Sequence, residues 1–302
     1  MLKKKLLRSS IPFWSTLVLF AFALVQIDKA SFQQNDLFNI RHILPSIPMD
    51  PKWESSPLSQ DELANFDKII AQPFYYLAKG THSFAFLSED GRYVIKFHRY
   101  PSHMRVFPWL NRPFSYQFSA KRIKIKEHNF QKLDYNLSNY KNSFEQLRDE
   151  AGLIYVHAGP LSNLNRFATI VDKTGNRYKV SLDTVTFALQ HKADLLYTTL
   201  DRLKKTQDIE ASKKVISAIV QLFVGCCQKG YVDKDPILRK NYGIIGDRAI
   251  HIDIGDMVYC EEIKNRENYI PHVKEMTESL RKRLVRDYPY LLEHYQNEID
   301  QL

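Results

Sequence analysis

The stretch Gly230-Tyr-Val-Asp-Lys-Asp-Pro-Ile-Leu-Arg-Lys-Asn-Tyr-Gly243, followed by Ile250-His-Ile-Asp-Ile-Gly-Asp256, decides how the rest of the chain is read. Asp235 and Asn241 stand on either side of a short loop, and Asp253 comes twelve residues after Asn241 on an apolar run bounded by glycine. Two carboxylates and an amide oxygen, carried by a loop and by the end of a neighbouring strand, are what magnesium-assisted phosphoryl transfer requires. One carboxylate orients the attacking hydroxyl, while the other two groups hold the hard cations that bridge nucleotide phosphates.

Upstream, Tyr76 to Phe97 holds two runs rich in aromatic and β-branched residues on either side of Glu89-Asp-Gly91, a hairpin signal. The first run has a turn of its own at Ala78-Lys-Gly80-Thr-His-Ser83-Phe-Ala85, where small residues let backbone N–H groups approach an anion. The second ends in Val94-Ile-Lys96, which puts an ammonium on an otherwise apolar strand. An unpaired buried lysine is costly, so a carboxylate partner is expected. Glu150, in Phe144-Glu-Gln-Leu-Arg-Asp-Glu-Ala-Gly-Leu-Ile-Tyr155, is the candidate; Phe144, Leu147, Ala151 and Ile154 recur there at helical spacing, and Glu145 competes for the same role.

Taken together, these segments resemble the protein-kinase-like superfamily. Gly230-Tyr-Val-Asp-Lys-Asp235 falls on its Gly-(Ile/Val)-(Val/Ile)-His-Arg-Asp run, Asn241 on the asparagine that follows, and Asp253-Ile-Gly255 on its Asp-Phe-Gly. Val94-Ile-Lys96 is similar to the family's V-A-I-K, and the turn at Gly80 to its G-x-G-x-x-G-x-V with only the middle glycine kept. Asp233-Lys234 replaces the His-Arg pair, and the gap from Asp235 to Asn241 is one residue longer than the family's, which leaves Asp233 open beside Asp235 as catalytic base. The resemblance implies ATP and Mg2+ as cofactors. Lys96, Gly80, Ser83 and Glu150 would then lie on the nucleotide, Asn241 and Asp253 on the metal, and Leu189 to Lys192 at the hinge that meets adenine.

Composition is consistent with a folded body: 302 residues, 44% hydrophobic and 13% aromatic, can bury one large core or two smaller ones. The three cysteines, an odd number with two adjacent on an apolar helix, argue against a disulfide framework or a zinc site and read as core thiols. Formal charge is +9, with Lys3, Lys4, Lys5 and Arg8 ahead of an uncharged apolar run from Ile11 to Ile27. That run is at the short limit for a membrane span, and its flanking charges favour an uncleaved anchor over a signal peptide. The charge rule would put the body outside the cytoplasm, an awkward side for a user of ATP.

Between Lys96 and Glu150 lies a second basic stretch. Residues 98 to 132 carry Arg99, Arg105, Arg112, Lys121, Arg122, Lys124, Lys126 and Lys132 against Glu127, interleaved with aromatic residues. This suits an anionic membrane surface, an acidic substrate, single-stranded nucleic acid, or a solvated insertion; the membrane is preferred to nucleic acid because of the apolar run upstream.

The expected architecture is α+β and two-lobed, with an N-lobe of antiparallel sheet plus helix and a reduced helical C-lobe behind one hydrophobic segment. The expected divisions are 1–27 (basic terminus and apolar segment), 28–61 (linker or extension), 62–190 (N-lobe with the insertion at 98–132) and 191–302 (C-lobe). Helices are expected at about Ser59–Ala71, Ala193–Lys205, Glu210–Gln228, Pro271–Asp287 and Tyr288–Gln301. Only 49 residues follow Asp253 and no Ala-Pro-Glu occurs, so the C-lobe is similar to those of kinases acting on small molecules, lipids or sugars, such as the lipopolysaccharide and aminoglycoside types. The function expected is a membrane-associated phosphotransferase acting on a hydroxyl. The alternative is a pseudokinase serving as a nucleotide-binding or scaffold module.

Overall fold

In the computed structural model, residues 33–45, 49–100, 116–159 and 164–302 are described, with the side chains of 116–122 and 126 left aside. The apolar run at 11–27, the basic residues before it and residues 101–115 of the 98–132 stretch lie outside the described residues. None of the described helices is long and apolar enough to cross a membrane.

The mixed α+β architecture follows from two hydrophobic cores. The first belongs to a sheet of seven strands: β1 (Phe74–Lys79), β2 (Ser83–Ser88), β3 (Tyr93–His98), β4 (Leu153–His157), β5 (Phe167–Val171), β6 (Arg177–Ser181) and β7 (Phe187–His191). They lie in the order β4-β7-β3-β2-β1-β5-β6. Every neighbouring pair is antiparallel except β1 and β5, which run parallel. The β2–β3 hairpin forms where expected. Gly91 turns at a positive φ of 71°, and Asp90 holds the turn by accepting from Ser88 Oγ at 2.7 Å and from the Arg92 amide at 3.0 Å. Phe84, Phe86, Ile95, Phe97 and Phe187 fill the core completely, each burial worth about 1.5–3 kcal/mol against exposure.

Two helices complete this half. The first, α1 (Gln60–Ile70), has a capping box in which Ser59 Oγ accepts from the Glu62 amide and Glu62 returns to the Ser59 amide. The second, α2 (Tyr116–Gln146), is a 31-residue helix and corrects the reading of 98–132 as an insertion ahead of a helix at 144–155. It begins within that stretch and ends at Gln146. Gly152 sits at φ +58°, which a helix does not tolerate, and Leu153 to His157, all buried, continue as β4. The periodicity of Phe144, Leu147, Ala151 and Ile154 was a coincidence of one helical turn, a loop and a strand.

The second core is helical. It is built by α3 (Leu196–Lys205), α4 (Ile209–Gln228), α6 (Arg266–Asp287) and α7 (Leu292–Asp300), with the single-turn α5 (Leu238–Asn241). Between them run β8 (Asp194–Leu195), β9 (Tyr231–Asp233), β10 (Tyr242–Ile245), β11 (Arg248–His251) and β12 (Met257–Tyr259), paired as β11-β10-β8 and β12-β9. Gly243 lets β10 pass beneath β8: a Cβ there would stand 2.7 Å from Ala193 Cβ and 2.8 Å from the Asp194 carbonyl. α6 starts five residues before the expected Pro271. That proline is exposed one turn into the helix, so water can satisfy the carbonyl it leaves unpaired.

Candidate active site

The site forms where the two cores meet, around the backbone of His251 to Gly255. β9 pairs with β12 so that Asp233 lies opposite Met257. The alternation of β9 turns Asp233 inward while Lys234 and Asp235 remain exposed. Asp233 is fully engaged: one oxygen accepts from the Asp235 amide at 2.8 Å, and the other meets Tyr242 Oη at 2.5 Å and His251 Nε2 at 2.7 Å. Burial alone would raise its pKa, but the hydrogen bond and charge of His251 and the bonds from Tyr242 and the amide more than offset this. The Asp233 carboxyl is held below its ordinary range. Burial and then the charge of Asp233 push the Tyr242 hydroxyl well above its own.

Asp235 is therefore the carboxylate of this loop that faces solvent, with no side-chain hydrogen bond among the described residues. Asn241, buried at the end of α5, donates through Nδ2 to the Asp235 carbonyl at 2.8 Å, and its own carbonyl accepts from the Ile252 amide at 2.6 Å. Asn241 and Asp253 are thereby brought to the same edge, with the Asp253 carboxylate exposed.

Lys96 reaches the same place from the other core. Its Nζ, on a side chain only 9% exposed, donates to the Ile252 carbonyl at 2.5 Å. Burial lowers its pKa, and the charge of Asp253 partly restores it. Two further side chains of the first half pin this segment. Gln190 of β7 donates to the His251 carbonyl at 3.1 Å, and Asn139 of α2 to the Gly255 carbonyl at 2.7 Å. Tyr140, one residue on, lies close enough to Asp253 for the carboxylate's charge to raise its pKa, behind the larger effect of burial.

Glu150 does not hold Lys96. It lies in the turn after α2 and pairs with Lys229 at 2.6 Å, while Glu145 is exposed. The correction follows from the helix boundary: once α2 ends at Gln146, its surface toward the site carries Asn136, Asn139 and Tyr140, and no carboxylate. These residues, with Gln190, His98 and His251, are the part of the site that sequence reasoning missed. Asn136 and Asn139, at i and i+3 among Leu133, Leu137 and Tyr140, were the available signal, polar groups on an apolar helix stripe. His98, buried against the Tyr140 ring at 4.4 Å, is kept neutral; burial pushes its pKa down to about 3, with His82 and Lys96 adding to the effect.

The turn at Gly80 is a tight one. The Gly80 amide donates to the Ser83 carbonyl at 2.8 Å, and Arg99 Nη1 clamps the carbonyls of Gly80 and Thr81 at 2.8 and 3.0 Å. His82, at its tip, is near enough to Asp256 to lower that carboxyl, against burial and the charges of Asp253, Asp233 and Asp235, which together raise it. At the expected hinge, Leu189 to His191 belong to β7, and the Lys192 amide donates to the Arg92 carbonyl at 2.9 Å before the chain enters β8.

The donor set fits magnesium held jointly with a phosphate ligand. Among the described residues no three His, Cys, Asp or Glu side chains converge as a metal cage. Asn241 and Asp253 are instead a pair of oxygen donors, and magnesium is commonly held by one or two such groups completed by phosphates and water. Burial first, and then the charge of Asp253, raises the Asp256 carboxyl beside this pair.

No family model matches the chain, and no curated protein matches it. Among solved structures, two of WbdD, one of them with the kinase inhibitor LY294002, are similar at 15% identity and a TM-score of 0.32, over 74% of this chain and 45% of theirs. A structure of the bifunctional kinase-methyltransferase WbdD is similar at 17% identity and a TM-score of 0.32, over 72% of this chain and 43% of that one. The chain thus spans less than half the length of these proteins.

Proposed function

We propose that the chain is a membrane-associated phosphotransferase of kinase-like fold that uses ATP with magnesium and transfers the γ-phosphoryl group to a hydroxyl. One observation carries this reading: the buried Lys96 ammonium from the sheet and the exposed Asp253 carboxylate from the helical half meet at the Ile252–Asp253 peptide. Positions far apart in sequence converge there, and the carboxylate Asp235 and the amide Asn241 join them through the Asp235 carbonyl and the Ile252 amide.

In this reading Lys96 would donate to the α- and β-phosphate oxygens, and the turn from Gly80 to Ser83 would cover the phosphates, with the Gly80 amide itself spent on the Ser83 carbonyl. Asn241 and Asp253 would hold magnesium, whose positive charge would be available to offset negative charge on the transferred group. The acceptor oxygen bonds to the γ-phosphorus, its proton passes to Asp235, and the bond to the β–γ bridging oxygen breaks with its electron pair leaving on ADP. Asp233 supports the loop and takes no part in transfer. The acceptor belongs to the small-molecule, lipid, sugar or protein hydroxyl compounds. Membrane association rests on residues 11–27, as a single span or, alternatively, as an export signal, and on the basic stretch that follows Lys96.

Replacing Asp253 by Asn removes a metal-binding charge without altering shape. Phosphate transfer should be lost while circular dichroism is unchanged, and ATP consumption at the original rate would refute the assignment. A second reading, a pseudokinase acting as a nucleotide-binding or scaffold module, is favoured by Lys96 having no helix carboxylate beside it among the described residues. Stabilisation by ATP and magnesium in a thermal titration, with no transfer to any acceptor, would support it.

A further inference from the structure

Asp235 and Asp253, the two exposed carboxylates of the site, each stand two residues beyond a buried polar side chain: Asp235 beyond Asp233 at the end of β9, and Asp253 beyond His251 at the end of β11. Those two buried residues are bonded to each other. His251 Nε2 lies 2.7 Å from Asp233 Oδ2, and each side chain is only 3% exposed. Asp233 is held ionised, so the ring nitrogen facing it is the one that carries the proton. Tyr242, opposite His251 in the β10–β11 pair, donates to the same carboxylate oxygen and sets its ring edge-on to the imidazole at 4.6 Å. Through its other oxygen Asp233 accepts from the Asp235 amide at 2.8 Å. The His251 ring thus reaches the backbone of Asp235 through a single intervening carboxylate.

The main chain of His251 is fastened to the other half of the molecule. Its amide donates to the Glu150 carbonyl at 2.7 Å, and its carbonyl accepts from Gln190 Nε2 at 3.1 Å. Main-chain bonds also tie the two segments, from the Lys234 amide to the Asp256 carbonyl at 3.1 Å and from the Ile252 amide to the Asn241 carbonyl at 2.6 Å. Among the described residues, the ring of His251 supplies the bond between side chains of the two segments. Its second nitrogen, Nδ1, is buried without a hydrogen-bond partner among the described residues. An empty buried nitrogen is a cost that an apolar side chain of similar size would avoid. Packing alone therefore does not account for an imidazole here, whereas the contact of Nε2 with Asp233 does.

We infer that His251 is a positioning residue for phosphate transfer: by holding Asp233 through Nε2 it fixes the separation between Asp235, which would receive the acceptor proton, and Asp253, which would hold magnesium. The inference rests on the phosphotransferase reading and adds to it a residue that touches neither nucleotide nor acceptor. Lys96 and the Gly80 turn lie outside this link. Its loss should therefore leave nucleotide binding nearly intact and fall on the transfer step, where both carboxylates must act together.

The test uses the full chain with ATP and magnesium, and with glycerol or water as the acceptor. His251→Gln can present one amide N–H where Nε2 stands, whereas His251→Leu has similar bulk and no donor. In His251→Leu, kcat should fall roughly tenfold to a hundredfold while KM for ATP changes by less than about twofold, and His251→Gln should recover most of the loss. Melting temperatures check that each variant folds; where His251→Leu does not, His251→Asn, polar but too short to reach Asp233, takes its place. Hydrogen exchange at the Asp235 amide is a readout independent of turnover. It should be faster in His251→Leu than in the parent chain and close to the parent rate in His251→Gln. An equal kcat in His251→Leu and the parent, a His251→Gln no better than His251→Leu, or an unchanged Asp235 amide overturns the inference alone. A parent chain that consumes ATP with neither acceptor overturns the inference together with the phosphotransferase reading, whether or not ATP and magnesium raise its melting temperature.

Discussion

Asp233 and Asp235 are separated by one residue, and their surroundings are opposite. Asp233 sits in the β9–β12 pair with three donors converging on it, whereas Asp235 stands beyond the strand with its carboxylate in water. The sequence left both open as base, because an alignment gap can be placed on either side; strand alternation, which depends on where β9 ends, separates them. Asp233→Ala would leave His251, Tyr242 and a backbone amide unpaired in the interior, at a cost of about 2–4 kcal/mol. The pH dependence has a definite sign. The folded pKa of Asp233 lies below its ordinary 3.8, so its stabilisation is complete above that value and is lost as pH falls toward the folded pKa. The difference in urea midpoint between the parent chain and Asp233→Ala should therefore be constant from pH 7 to about 5 and shrink below pH 4. A difference that grows on acidification would contradict the assignment.

At the scale of elements, α2 carries most of what could not be read in advance. The hairpin of β2 and β3, α1 and α4 were legible, because each has local punctuation: Glu89-Asp-Gly91, Ser59 with Glu62, and Asp208 as N-cap. α2 has none of this among its described residues. Its apolar stripe is interrupted by Asn136 and Asn139, and its end is fixed by where β4 docks on β7. The consequence is chemical. A helix glutamate was expected to anchor Lys96, and α2 offers an amide that anchors the Asp253–Gly255 loop instead. Asn139→Ala removes the bond to the Gly255 carbonyl while Asp253 and Lys96 remain. If that bond positions Asp253, the magnesium concentration giving half-maximal rate should rise roughly tenfold, as for other groups that orient a ligand without touching the metal. Melting temperature should fall only slightly, and a variant with an unchanged magnesium requirement would show that the bond merely fastens the helix.

Across the whole molecule, the polar segment ahead of α1 has a larger part than its prolines and low hydrophobicity suggested. Phe38, Ile43 and Trp53 are among the buried residues of the first core, so the stretch that read as a linker or an extension packs on the sheet and reaches α2. Trp53 is only 1% exposed; its indole Nε1 donates to Asp134 Oδ1 at 2.7 Å, and the adjacent Lys52 pairs with the same carboxylate at 2.7 Å. The site therefore depends on this strap at one remove: the strap fixes α2, α2 holds the Gly255 carbonyl through Asn139, and that segment carries Asp253. Trp53→Ala removes a large apolar side chain and leaves Asp134 one donor short, a loss of about 3–5 kcal/mol by comparison with other buried aromatic truncations. The urea midpoint should drop accordingly. Because the loss falls on α2, the fraction of α2 released before global unfolding, read as hydrogen exchange in residues 123–146, should rise more than exchange in α4, which belongs to the other core. Equal acceleration in both helices would mean that the two cores unfold as one unit and that the strap has no special hold on the site.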